Sequence, residues 1–305
     1  MMMYRICTVV VPAVFFFLSC RAVAETITVC AVGCDHTSIN EAIDVANNGD
    51  IIQLSAESYQ EGTVIDTQGK AITLLGATDK EGRPNSRLNG QNTHGVLQCV
   101  NNEGPGTVFE NLVVQRGFSY NGGGMNISST SPSTGPTLRN CLFANNTATW
   151  RGGGIHNASL SANVAPSVIN CTFAHNHAGN TGGGMTNINS SPTLTNCTFL
   201  GNTAENDGGG IDNMFETILT LINCRFEENL PNDFDGMIAS ATFAPTVTGD
   251  IDGDGDYDED DVRLAMAEFS IIEAGPCPSD INGDGQVDGQ DLAALLAAWG
   301  LPCDG

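Results

Sequence analysis

Positive charge is what this sequence has least of. Eleven Lys and Arg stand against 35 Asp and Glu in 305 residues, a formal net charge of -24. That balance argues against nucleic acid and anionic membrane surfaces as partners, since both repel a polyanion. Aromatic residues are only 6% and charged residues 15%, while Gly reaches 36, a composition that suits turns and short strands better than helices. Beyond Leu18 no apolar run is long enough to cross a bilayer, so no transmembrane span is expected in the mature chain.

The one long apolar run is Ile6 to Leu18, preceded by Arg5 and followed by the small-residue site Ala22-Val23-Ala24. This order reads as a secretory signal peptide over residues 1–24, with the mature chain starting at Glu25, and places the protein outside the cell or on its surface. Phe17-Leu18-Ser19-Cys20 is a poor lipoprotein box, and a lipid on Cys20 is the alternative. Removing the leader takes Cys7 and Cys20 with it and leaves an odd number of the 11 cysteines. Cys30 with Cys34, and Cys277 with Cys303, flank short segments and are candidate bridges in an oxidising compartment.

Four of the other cysteines belong to a repeat. Asn-Cys-x-Phe-x-x-Asn begins at Asn140, Asn170, Asn196 and Asn223, and Gly-Gly-Gly followed by Met or Ile begins at Gly122, Gly152, Gly182 and Gly208. Residues Phe109 to Val114 look like a degenerate earlier copy. Between the markers lie short pieces such as Thr137-Leu138 and Ser167-Val168-Ile169, without helical periodicity, so each repeat is expected to be one coil of strands. Coils stack about 4.8 Å apart, which makes each recurring residue a ladder. Cys141, Cys171, Cys197 and Cys224 should form one inside, the four Phe a second, and the Asn preceding each Cys a turn ladder of side-chain amides.

Gly-Gly-Gly-[Met/Ile] alternating with Phe-x-x-Asn is similar to the repeats of polymorphic outer-membrane proteins, and the stretch from Thr26 to about Ile238 resembles right-handed parallel β-helices of the pectin-lyase-like class. The resemblance implies a mainly β fold over residues 25–238, begun by a capping helix at Thr37 to Ala46 and strands at Asp50 to Leu54 and Lys70 to Gly76. Its functional content is open, because this architecture serves enzymes and adhesins alike.

A polysaccharide lyase needs a base beside a carboxylate, and a glycoside hydrolase needs two carboxylates on one face. The column after each glycine triplet, expected to face outward, reads Asn126, His156, Thr186 and Asp212, with a single acid. Trp150, Arg151, Glu205 and Asp207 around it either line a sugar groove, Trp150 stacking on a ring and Arg151 facing a uronate, or are surface decoration. His175 and His177 have the look of a metal pair but lack a third ligand nearby. The reading leans towards a structural, adhesive or carbohydrate-contacting protein, with a tethered lyase or hydrolase as the alternative.

Residues 239–248 read as a linker, and residues 249–305 are strongly acidic, with 15 Asp and Glu against Arg263 alone. Asp250, Asp252, Asp254, Asp258 and Asp261 occupy positions 1, 3, 5, 9 and 12 of a calcium loop, with Gly255 at 6 and the carbonyl of Asp256 at 7. Asp280, Asn282, Asp284, Asp288 and Asp291, with Gly285 and the carbonyl of Gln286, repeat the arrangement, so two calcium ions are expected. Val262, Ala265, Met266 and Phe269 match Leu292, Leu295, Leu296 and Trp299, giving each loop a following helix with an apolar face. Duplicated loop-helix units with Asp at position 12 resemble dockerin domains, which implies a small C-terminal α domain and a cohesin-like or cell-surface partner. Positions 10 and 11, commonly Ser or Thr in that family, are Glu259-Asp260 and Gly289-Gln290 here.

Overall fold

The computed structural model describes residues 24–129, 135–159, 165–215, 217–236 and 238–243, and these form a parallel β-solenoid. Its first end is closed by α1, Ile39–Val45, whose N-cap Ser38 accepts a hydrogen bond from the Glu41 N–H at 3.3 Å. Glu61 strengthens that end, accepting from Ser38 Oγ at 2.6 Å and the Ile39 N–H at 2.8 Å. Ile39, Ala42 and Ile43 turn inward over the first coils, where Thr26–Val29 pairs with Ile51–Leu54 and that with Thr73–Leu75. The capping helix and first strands thus lie where the sequence places them. Cys30 and Cys34 are bridged beside them.

In the repeat region each coil contributes four short strands. The first face stacks Thr137–Arg139, Ser167–Ile169 and Thr193–Thr195, and the second stacks Leu142–Ala144, Thr172–Ala174 and Thr198–Leu200. The third stacks Phe118–Asn121, Thr147–Arg151, His177–Ala178 and Thr203–Ala204. The fourth stacks Met125–Ser129, Ile155–Ser159, Met185–Ile188 and Ile211–Met214. Leu219–Glu227 is long enough to join the first and second faces in one strand.

The ladders fill the core as the spacing predicts. Phe143, Phe173, Phe199 and Phe226 stack with centroids 5.1, 4.5 and 5.0 Å apart and planes within 9°. Phe234 ends the stack edge-on at 5.2 Å. Each buried Phe contributes about 2–3 kcal/mol by leaving water, and parallel offset rings add roughly 1 kcal/mol. The four cysteines are buried and unbridged, their thiols donating to main-chain oxygens such as Arg139 O at 3.2 Å and Ile169 O at 3.3 Å. The degenerate copy aligns from Asn111, with Leu112 one residue ahead of the paired Val113 and Leu142, and Val114 opposite Phe143. Strand Ile238–Phe243 pairs with Leu219–Glu227, so residues 239–243 of the expected linker lie in the sheet. Among the described residues no helix is long and apolar enough to cross a membrane.

Candidate functional site

The glycine triplets make the sharp passage from the third face to the fourth. Gly122, Gly152, Gly182 and Gly208 all have φ between 62° and 71°, a left-handed conformation that β-carbons oppose. The following glycines lie against the next coil: a Cβ on Gly153 would sit 2.5 Å from the carbonyl oxygens of both His177 and Gly183. The coils can approach only because that carbon is missing.

This turn overturns the expectation that the column after the triplet faces solvent. His156 is 7% exposed, Thr186 0% and Asp212 2%, and only Asn126 is partly open. The chain folds back so that Arg151, Thr181 and Asp207, themselves paired coil to coil, run beside the column. Thr186 Oγ1 donates to Thr181 O at 2.9 Å, and a Cβ on Gly182 would collide with that hydroxyl. Strand alternation alone would have sent these side chains into water.

Burial governs their chemistry. The Asn126 side-chain oxygen is an acceptor, so the 3.0 Å contact from His156 Nδ1 puts the ring proton on that nitrogen. Burial, with the nearby charge of Arg151, pushes His156 down to about 4, and the ring is neutral at physiological pH. Burial pushes Asp212 above the ordinary carboxylate value. Thr181 and Arg151 oppose that shift, while Asp235 and Asp207 add to it. Asp212 Oδ2, Arg151 Nε and Asn121 Oδ1 are enclosed without hydrogen-bond partners among the described residues, so polar capacity gathers on this side of the solenoid.

Next to this buried column runs an exposed stripe. Tyr120 and Trp150 are 65% and 39% exposed, with planes within 8° and centroids 6.4 Å apart. The Arg151 guanidinium carbon lies 5.5 Å from the Trp150 ring centre. One and two coils further on, the same column holds Asn180, which is buried, and the exposed Asn206, joined by a 2.6 Å hydrogen bond from Asn206 Nδ2 to Asn180 Oδ1. Glu205 and Asp207 flank Asn206 on the surface.

Residues 140–158 and 196–213 match the Chlamydia polymorphic membrane protein repeat. Each matched segment runs from an Asn-Cys-x-Phe-x-x-Asn strand through a glycine triplet into the fourth face, so the likeness covers the parts that build a coil. No curated protein and no solved structure matches the chain.

Two further expectations concern metals. His177 Nδ1 contacts Thr203 Oγ1 at 3.0 Å and His175 sits in a left-handed turn, and the described residues contain no cluster of three or more His, Cys, Asp or Glu able to hold a metal ion. The expected calcium ligands Asp250, Asp252, Asp254, Asp256, Asp258, Asp261, Asp280, Asn282, Asp284, Gln286, Asp288 and Asp291 lie outside the described residues, as do Cys277 and Cys303 of the expected bridge. Sequence reasoning also passed over a second asparagine ladder. Asn146, Asn176, Asn202 and Asn229 are buried, each donating through Nδ2 to the next, at 2.9 Å in every case. Its signal was present, since the last position of the repeat motif is Asn in all four copies.

Proposed function

We propose that this chain is a surface-displayed, adhesive β-solenoid that binds extracellular material without cleaving it. The observation that carries the reading is the solenoid built from coils similar to the polymorphic membrane protein repeat. Its core positions are committed to stacking, which leaves the outer face of the coils free for contact. The right-handed, pectin-lyase-like form and export through residues 1–24 belong to the same proposal, on the repeat pattern and the leader sequence. So does a calcium-binding, dockerin-like tether over residues 249–305, for which the support is the oxygen donor set and its spacing.

The rival, a polysaccharide lyase or hydrolase, would need a base or carboxylate that touches the polymer. His156 and Asp212 are enclosed beneath the triplet turns, where a chain of sugars does not reach them. The test is retention of the labelled full chain on intact cells and on immobilised extracellular polysaccharide, with released products assayed in parallel. Saturable retention without new reducing ends or unsaturated sugars is expected. Polymer cleavage, or no retention on any surface, would overturn the reading.

A further inference from the structure

We infer that the stripe Tyr120, Trp150 and Asn206 is a binding subsite for an uncharged saccharide chain lying along the solenoid axis. The inference rests on the adhesive reading and specifies the site and the ligand class. Two exposed, parallel rings one coil apart offer an apolar strip, and the exposed Asn206 amide, held from below by the buried Asn180, continues the same column with hydrogen-bonding capacity. Sugars present that combination in return, a C–H-rich face and a rim of hydroxyls, and sites that recognise such amphipathic ligands pair aromatic rings with a few placed polar groups. The exposed Thr149 adds a hydroxyl to the rim of the same strip.

Size and charge narrow the ligand. A fully covered aromatic side chain buries about 150–250 Å², so these part-exposed rings, even with Phe118 on the neighbouring column, fall short of the roughly 800 Å² per partner of a stable protein interface. A few sugar rings need less. A polyanion is disfavoured, because Glu205 and Asp207 flank the amide end and the whole chain carries -24. Among the described residues Arg151 makes no ion pair; its guanidinium carbon lies 5.5 Å from the Trp150 ring centre, and its charge acts on the buried Asp212 carboxyl. The acidic flank of the stripe favours a neutral sugar over the uronate that was one of two alternatives for Arg151.

The chain has two Trp, so Trp299→Phe in the full-length protein leaves Trp150 as its only indole reporter. Titration with gluco-, xylo-, manno- and chito-hexasaccharides, and with oligogalacturonate as the charged arm, reads binding at the stripe directly. At least one uncharged hexasaccharide should shift Trp150 fluorescence, and oligogalacturonate should not. By calorimetry, Trp150→Ala should weaken that saccharide at least tenfold and Tyr120→Ala about fivefold, with unchanged circular dichroism. Silence across the uncharged panel, binding of oligogalacturonate alone, or undiminished affinity in both variants would overturn the inference. Full adhesion to cells by both variants would also overturn it while leaving the adhesive reading standing; failure of the parent chain to adhere anywhere would overturn that reading instead.

Discussion

Asn176 ties three coils together. Its Nδ2 donates to Phe143 O and Asn202 Oδ1, both at 2.9 Å, and its Oδ1 accepts from the Asn146 N–H at 3.1 Å and Nδ2 at 2.9 Å. An orphaned buried polar group costs about 1–3 kcal/mol, and Asn176→Ala orphans several at once. Urea unfolding should show a loss of about 3 kcal/mol or more, against about 1 kcal/mol for Asn170→Ala in the exposed turn ladder. Equal losses would mean that the inner ladder is no more than a solvated turn. His156 supplies a pH test. With an ordinary value of 6.5 and a folded value of about 4, the unfolded chain binds the proton first as pH falls. Stability is therefore complete above 6.5 and declines towards 4, by up to roughly 3 kcal/mol. His156→Gln should flatten that window in a series of melts. Asp212 runs the other way, because its folded value is raised and its charged form is the disfavoured one. Asp212→Asn should melt higher than the parent at pH 7, and the gap should close below the ordinary carboxylate value of 3.8.

At the scale of elements, the triplet turn is the part of the coil least tolerant of change. Gly153→Ala would drive a methyl group into two carbonyl oxygens of the next coil and should cost about 3 kcal/mol or more. Gly104→Ala, where a Cβ would meet nothing within 4 Å, should stay within about 0.5 kcal/mol of the parent. Paired thermal melts decide this, and similar losses at both sites would contradict the close-approach account. The turn also marks the limit of what was legible in the sequence. The coils, capping helix, Cys and Phe ladders and turn asparagines were readable because each stacks one residue type at a fixed place in the repeat. The burial of His156, Thr186 and Asp212 was not, because period-two alternation describes a strand and not the chain folded back over it. The stripe was hidden for another reason. Tyr120, Trp150, Asn180 and Asn206 each stand two residues before a triplet, but their chemistry changes from aromatic to amide along the column. Only the register shows that they share one line.

For the whole molecule, the solenoid and the proposed C-terminal calcium module are expected to have separate stability requirements. The described solenoid has a continuous apolar core from Val29 to Cys224. Two short loop-helix units would bury too little apolar surface to order themselves, and their converging carboxylates would repel without a cation. Calorimetric titration of the full chain should therefore find two calcium sites, while chelator should leave the solenoid's melting transition in place. A solenoid transition that moves by many degrees with chelator would contradict that division. Staining intact producing cells with an antibody to the solenoid, before and after chelator, checks the proposed surface display and, separately, the proposed calcium-dependent tether. Strong staining of intact cells, released into the medium by chelator, is expected; staining that appears only after the cells are permeabilised would rule out surface display.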